Sequence, residues 1–285
     1  MKPTIPQRLQ STFLNNPEGR AWLERLPVLL PELANRWEIS LGEPFDGDHV
    51  SCSWVAPATR TDGSTAIFKI GWPHMEAEHE IAGLRFWNGD GAVRVFETDE
   101  PNNAFLMERC LPGTRLREFS LEKQDEVIVT MLKRFWRRPL EPHPFRPLAE
   151  QMQFWSGEGR ADEALWPDPG LVRAGLVLFE ELSRPAPDDV LLTTDLHASN
   201  ILVAEREPWL MIDPKPFVGD RAYDITQHLF NDLPRLLDTP EQTILALAEP
   251  LQLDPMRLRL WLFARAAAMS RHSTEHLILA QRLAP

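Results

Sequence analysis

The sequence predicts an α+β chain in two parts: an N-terminal antiparallel sheet with one inserted helix, followed by a largely helical C-terminal part. Three observations carry this. Extended apolar runs separated by turn formers crowd the region before Cys110, helical spacing dominates from Leu121 onward, and 26 prolines against 14 glycines punctuate both with enforced turns. The division is expected at 110/111, with an N-terminal helical segment and the sheet in residues 1–110 and the helical part in 111–285. At 285 residues, 43% hydrophobic and 25% charged, the chain can bury the core of one two-lobed globule or of two modest domains.

The elements follow in order. EGRAWLERL and LLPELANRW read as helical material interrupted or kinked at Pro27 and Pro31, because proline removes an amide and clashes with the preceding turn. EISLGEPF, HVSCSWVAPA and STAIFKIG read as three strands, with TDG as the last turn, where Gly63 tolerates a positive φ. HMEAEHEIAGLRFWN switches to helical spacing, and AVRVFETD and AFLMERC return to extended spacing around DEPNN. Beyond the breakers Pro112 and Gly113, helices are expected over 121–136, 147–155 and 170–182, with PLEPHPFRP as a loop. A loop and hairpin occupy 191–212. Helices follow over 222–229 and 240–247, and one long amphipathic helix over 255–283.

Charge and composition exclude several classes of function. Thirty Lys plus Arg against 42 Asp plus Glu give a net charge of −12, which repels a phosphate backbone and disfavours nucleic acid as a partner. The same field favours a cationic small molecule. Cys52 and Cys110 are too few for a disulfide framework or a cysteine-rich zinc site, and they fit a reducing cytosol. The N-terminal stretch lacks the apolar core of a signal peptide, and no segment approaches the roughly 18 to 20 apolar residues that span a bilayer. A cytoplasmic chain with no membrane partner is expected, and nothing in the pattern selects an oligomeric state.

The sharpest pattern is TTDLHASNILV followed by WLMIDPK. Asp195 and Asn200 lie five positions apart, and Asp213 follows Asp195 by 18. In a nucleotide phosphotransferase, a loop carboxylate orients an attacking hydroxyl and accepts its proton, while an Asn oxygen and a second Asp hold magnesium on the phosphates. Lys69 in AIFKIG can point a cation at those phosphates, with an acidic residue on the following helix fixing its ammonium group. The competing account is that Asp195 and Asn200 tie a polar loop by local hydrogen bonds and that Asp213 serves a turn before Pro214.

In the same order, AIFKIG, LMERCLPGTRL, TTDLHASNILV and IDPKPFVGDRAYD resemble the kinase-like aminoglycoside phosphotransferase family, especially its streptomycin 6-kinase and hydroxyurea phosphotransferase branch. The resemblance runs from about Gly42 onward. It implies a protein-kinase-like two-lobed fold and ATP- and Mg2+-dependent phosphate transfer to a hydroxyl. Asp195 would then be the catalytic base, Asn200 and Asp213 the metal ligands, and Lys69 the ATP contact with Glu80 as its partner. Glu76 competes with Glu80, since the two share a helical face at i,i+4. Backbone groups from Glu108 to Cys110 would meet the adenine edge, and Ser53, with Ser51 as the weaker candidate, would contact phosphate.

Thr193-Thr194-Asp195 stands where the family commonly has His-Gly-Asp. The acceptor implied is a small-molecule hydroxyl, an aminoglycoside such as streptomycin first, with Asp and Glu in EGRADEALWPD favouring a cation. Hydroxyurea or a metabolic alcohol is the alternative, and a nucleotide-binding regulatory protein without turnover is a third. His197 is expected to support the loop rather than transfer protons. His272 and His276, at i,i+4, are expected on one helix surface without metal. Asp220 and Asp224 are expected to anchor the loop or pair with Arg221. Lys215 is open between a phosphate contact and neutralising the acidic site.

Overall fold

The computed structural model describes residues 3–47 and 52–285. Ser51, and the first residues of the strand expected over HVSCSWVAPA, lie outside the described residues. The chain divides into two units, residues 1–113 with 203–210, and residues 114–202 with 211–285. The division thus falls three residues later than the expected 110/111, and a distant segment joins the first unit.

In the first unit, α1 (Gln7–Thr12) and α2 (Pro17–Arg36) precede β1 (Ile39–Leu41), β2 (Ser53–Arg60) and β3 (Thr65–Gly71). Then come α3 (Glu80–Trp87), β4 (Val95–Asp99) and β5 (Ala104–Glu108). The strands form one antiparallel sheet in the order β1-β2-β3-β5-β4, with α3 inserted between β3 and β4 as the sequence predicts. The strand period of two decides the faces. Trp54, Ala56 and Ala58 of β2, Ala66, Phe68 and Ile70 of β3, and Ala104 and Leu106 of β5 share a buried cluster with Trp22, Leu26, Leu30 and Leu33 of α2. Lys69 therefore points to the opposite face, in register with Val55 and Phe105.

α2 corrects the expected break. It runs unbroken through Pro27 and Pro31, capped at its start by Asn16. The two prolines are four residues apart and lie off the buried stripe of Trp22, Leu26, Leu30 and Leu33. Each proline costs one intrahelical hydrogen bond, and burial of that stripe outweighs the local penalty. α3 is shorter than its expected 74–88 and starts at Glu80, so Glu76 and Glu80 do not share a helical face.

The second unit begins with α4 (Leu121–Phe135), α5 (Leu148–Ala161) and α6 (Pro169–Leu182); α4 and α6 match expectation to within one residue at each end, and α5 runs six residues past its expected end at Trp155. β6 (Val190–Leu192), β7 (Ile201–Val203), β8 (Trp209–Met211) and β9 (Phe217–Gly219) follow. β7 pairs with β8 as a hairpin whose residues 203–210 group with the first unit, and β6 pairs with β9. Six helices complete the chain: α7 (Arg221–Asp224), α8 (Thr226–Asn231), α9 (Leu233–Asp238), α10 (Pro240–Leu251), α11 (Pro255–Met269) and, after a break, α12 (Thr274–Leu283). The single helix expected over 255–283 is thus two, because Ser273 caps a new start by accepting from Glu275 N at 3.2 Å. His272 falls in the break and His276 on α12, so they do not share one helix.

α6 and α11 pack closely at Gly175, where an added Cβ would stand 2.6 Å from Ala267 Cβ and 3.1 Å from the Ala264 carbonyl oxygen. Gly175→Ala gains up to about 1 kcal/mol of helix propensity but forces the helices apart, an overpacking cost of about 1–3 kcal/mol. A net loss of stability is expected, read as a lower urea midpoint with an unchanged slope.

Candidate active site

The candidate residues fall into two sets, one in each unit. In the first unit, Lys69 is buried on β3, and its Nζ lies 2.7 Å from both Glu80 oxygens and 5.8 Å from the centroid of the Phe105 ring. Glu80 occupies the first turn of α3, where the helix dipole favours a carboxylate. A buried lysine and glutamate that satisfy one another this closely are costly to separate, since either one alone is an unpaired buried charge. Ser53 is in register with Gly71 at the start of β2, on the same face as Val55 and hence as Lys69.

At the end of β5, Glu108 is engaged on all sides. Its amide donates to Arg94 O at 2.8 Å, and its carboxylate accepts from Arg206 Nε at 2.8 Å, Arg206 Nη2 at 2.9 Å and Arg94 N at 3.1 Å. The Glu108 amide expected to meet a base edge is therefore already used within the sheet. The Cys110 amide has no partner among the described residues. Burial, reinforced by the Glu108 charge and opposed by Arg206, pushes the Cys110 thiol up to about 12, so it is uncharged.

In the second unit, Thr193, Thr194 and Asp195 follow β6 directly, and Asp213, Pro214 and Lys215 lie between β8 and β9. The two segments are stitched together: Lys215 N donates to Thr193 O at 2.9 Å and Thr194 Oγ1 to Lys215 O at 2.5 Å. Lys215 Nζ stands 3.2 Å from Asp195 Oδ2, while Asp195 Oδ1 faces His197 Nε2 at 3.8 Å, beyond hydrogen-bond length. Asn200 donates its Nδ2 to Asp195 O at 3.1 Å, and its amide to His197 O at 2.9 Å. That orientation leaves Asn200 Oδ1 as an acceptor with no donor among the described residues.

Thr194 and Asp213 both have left-handed backbones, φ +45° and +57°. For threonine this is strained by about 1–2 kcal/mol, and Gly in its place would be free of the penalty. Asp224 holds the strained loop. Fully buried on α7, it accepts from Thr193 N at 3.1 Å, Thr193 Oγ1 at 2.8 Å, Thr194 N at 2.7 Å and Trp136 Nε1 at 2.9 Å. Burial raises its carboxyl above the ordinary range, and these donors oppose the rise. Asp224 was legible only as one of two anchoring candidates. Asp220 instead caps α7 and accepts from Arg257 Nε at 2.5 Å and Trp261 Nε1 at 2.6 Å, while Arg221 lies over the Trp136 ring.

The acidic run EGRADEALWPD is largely committed elsewhere. Asp162 pairs with Arg271 at 3.4 Å and Glu163 with Arg173 at 2.5 Å, and Asp168 caps α6. Among the described residues no group of three or more His, Cys, Asp or Glu side chains could hold a metal alone. Asn200 Oδ1 and the Asp213 carboxylate are hard oxygen donors of the kind that suits Mg2+, which usually takes one or two carboxylates and completes its octahedron with phosphate and water. The residues present therefore fit that ion, with Asn200 already turned to offer its oxygen.

The model of the aminoglycoside/hydroxyurea antibiotic resistance kinase family matches residues 36–275. The chain belongs to this family. It is 36% identical over 276 residues to a streptomycin 6-kinase of Streptomyces griseus, covering 92% of this chain and 88% of that protein. It is 34% identical over 220 residues to a hydroxyurea phosphotransferase of Kitasatospora aureofaciens, covering 75% of this chain and 63% of that one. Among solved structures, the choline kinase LicA of Streptococcus pneumoniae aligns with a TM-score of 0.59 at 12% identity, covering 92% and 97% of the two chains. The fold is thus kinase-like, as the motif order implied, and this family member is a small-molecule phosphotransferase.

Two outcomes test the loop. Asp224→Asn turns a donor toward groups that are all donors, so it is expected to lower the unfolding free energy by about 1–3 kcal/mol, read by urea denaturation. His197 is held below the ordinary imidazole value, by burial first, against the raising effect of Asp195 and Asp213. The folded chain therefore binds this proton less tightly than the unfolded chain. The stability it contributes is present above the ordinary imidazole pKa and lost as pH falls through the lowered value. An NMR titration should find the His197 ring neutral at pH 7 and protonating below the midpoint of an exposed histidine.

Proposed function

We propose that the chain transfers the γ-phosphoryl group of ATP, with Mg2+, to a hydroxyl of an aminoglycoside, streptomycin first. One observation carries this: the base candidate Asp195 keeps Oδ1 open while Lys215 holds Oδ2, and Asn200 beside it offers an oxygen. The match to a streptomycin 6-kinase over 92% of the chain supports the choice of acceptor.

Asp195 would orient the acceptor hydroxyl through Oδ1 and take its proton. Asn200 and Asp213 would hold Mg2+, which supplies positive charge across the phosphates when bound. Lys69, fixed by Glu80, would bind phosphate oxygens from the first unit. The Cys110 amide would meet the base edge, and Ser53, on the face that carries Lys69, would approach phosphate. His197 would brace the loop, its Nδ1 accepting from Ser199 N at 3.3 Å. Thr193 and Thr194 stand where the resemblance implies His-Gly, and Asp224 holds both of their amides, which fixes the chain entering Asp195. That supports turnover over a purely regulatory role.

Purified chain with ATP and Mg2+ is expected to add one phosphoryl group to streptomycin, read by product mass. Asp195→Asn should reduce the rate at least about 100-fold. Phosphorylation of hydroxyurea or of a neutral alcohol instead would move the acceptor class. No product from any acceptor, with the protein folded and ATP bound, would leave a nucleotide-binding regulatory protein.

A further inference from the structure

We propose that Lys215 is a catalytic cation that touches the γ-phosphoryl group of the bound nucleotide while still paired with Asp195, its three donors serving both, and that its hold shifts to the phosphoryl oxygens as the reaction proceeds. The inference rests on the phosphotransferase function proposed above and adds a residue to it. Lys215 Nζ lies 3.2 Å from Asp195 Oδ2, two residues beyond Asp213 and across Pro214. Its direction is fixed from the backbone, since Thr193 O accepts from its amide and Thr194 Oγ1 donates to its carbonyl. Its side chain remains 32% exposed, against 15% for Asp195. A partly exposed ion pair contributes little to stability. The same ammonium beside a group on which charge is redistributed can contribute far more to rate.

The chemistry gives the shift a cause. The acceptor O–H proton passes to Asp195 Oδ1. The acceptor oxygen forms its bond to the γ-phosphorus as the bond from that phosphorus to the β-phosphate oxygen breaks, its electron pair leaving on ADP. Protonation removes the carboxylate charge that held Lys215, while the three equatorial oxygens of the phosphoryl group remain negative. The ammonium, a compact charge on a flexible stem, then prefers the phosphoryl oxygens.

A cation that touches the γ-phosphate distinguishes nucleoside triphosphate from diphosphate, whereas one that merely neutralises the acidic loop does not. Calorimetric titration of the full chain with Mg2+ and either ADP or the non-hydrolysable AMP-PNP therefore tests the idea without an acceptor. Lys215→Met is expected to weaken AMP-PNP about tenfold and ADP less than about twofold, and Lys215→Arg to keep most of the AMP-PNP affinity. An AMP-PNP to ADP ratio unchanged in Lys215→Met overturns the proposal, as does an equal loss of both nucleotides in both variants. Wild-type protein that binds neither nucleotide overturns the phosphotransferase function itself, and the role of Lys215 with it.

Discussion

The second unit's chemistry depends on one buried carboxylate. Asp224 accepts four hydrogen bonds, from two backbone amides, a hydroxyl and an indole. Burying a charge is tolerable only when its lone pairs are used, and here every partner is a donor. The consequence is positional. The amides of Thr193 and Thr194 cannot shift without leaving that carboxylate unsatisfied, so Asp195, the next residue, is delivered in one orientation. Trp136, at the end of α4, ties the same point to a helix distant in sequence.

That constraint also explains how a threonine survives where glycine would be strain-free. Thr194 has a left-handed backbone, yet it gains an amide bond to Asp224 and a hydroxyl bond to Lys215 O. Each such bond contributes about 1 kcal/mol net, enough to offset strain of about 1–2 kcal/mol. Thr193 likewise uses its hydroxyl on Asp224. Thr193 and Thr194 are thus held through both their amides and their hydroxyls, by Asp224 and by the Lys215 carbonyl.

Much of this was legible in the sequence, for identifiable reasons. Lys69 sits on a strand whose alternation assigns it to the face away from the Trp54 and Phe68 cluster, and its ion pair with Glu80 follows from an acidic residue opening the next helix. The β7–β8 hairpin was readable from short apolar runs around breakers. α2 was not, because two prolines argue locally for a break and only the burial of Leu26, Leu30 and Leu33 overrides them. The end of the 255–283 helix was missed because Ser273 is a weak cap signal inside an otherwise apolar pattern. The commitments of Glu108 and Asp162 were invisible for a different reason, since each depends on an arginine about a hundred residues away in sequence.

The hairpin between Asn200 and Asp213 shows what such a partner does. Arg206 places five N–H groups on five acceptors: Glu108 Oε1 and Oε2, Glu207 Oε1 and the carbonyls of Gly89 and Ala92. Only a guanidinium has that many donors in a fixed fork, and a lysine in its place, with three, would leave at least two of these hydrogen bonds unmade. Arg206, together with the Gly113 amide that donates to Val203 O at 3.1 Å, ties residues 203–210 to the first unit although their flanks belong to the second. The segment that carries Arg206 is bounded by the two residues proposed to hold the metal. That segment begins three residues after Asn200 and ends three residues before Asp213, so Arg206 holds the middle of the stretch between them within the first unit.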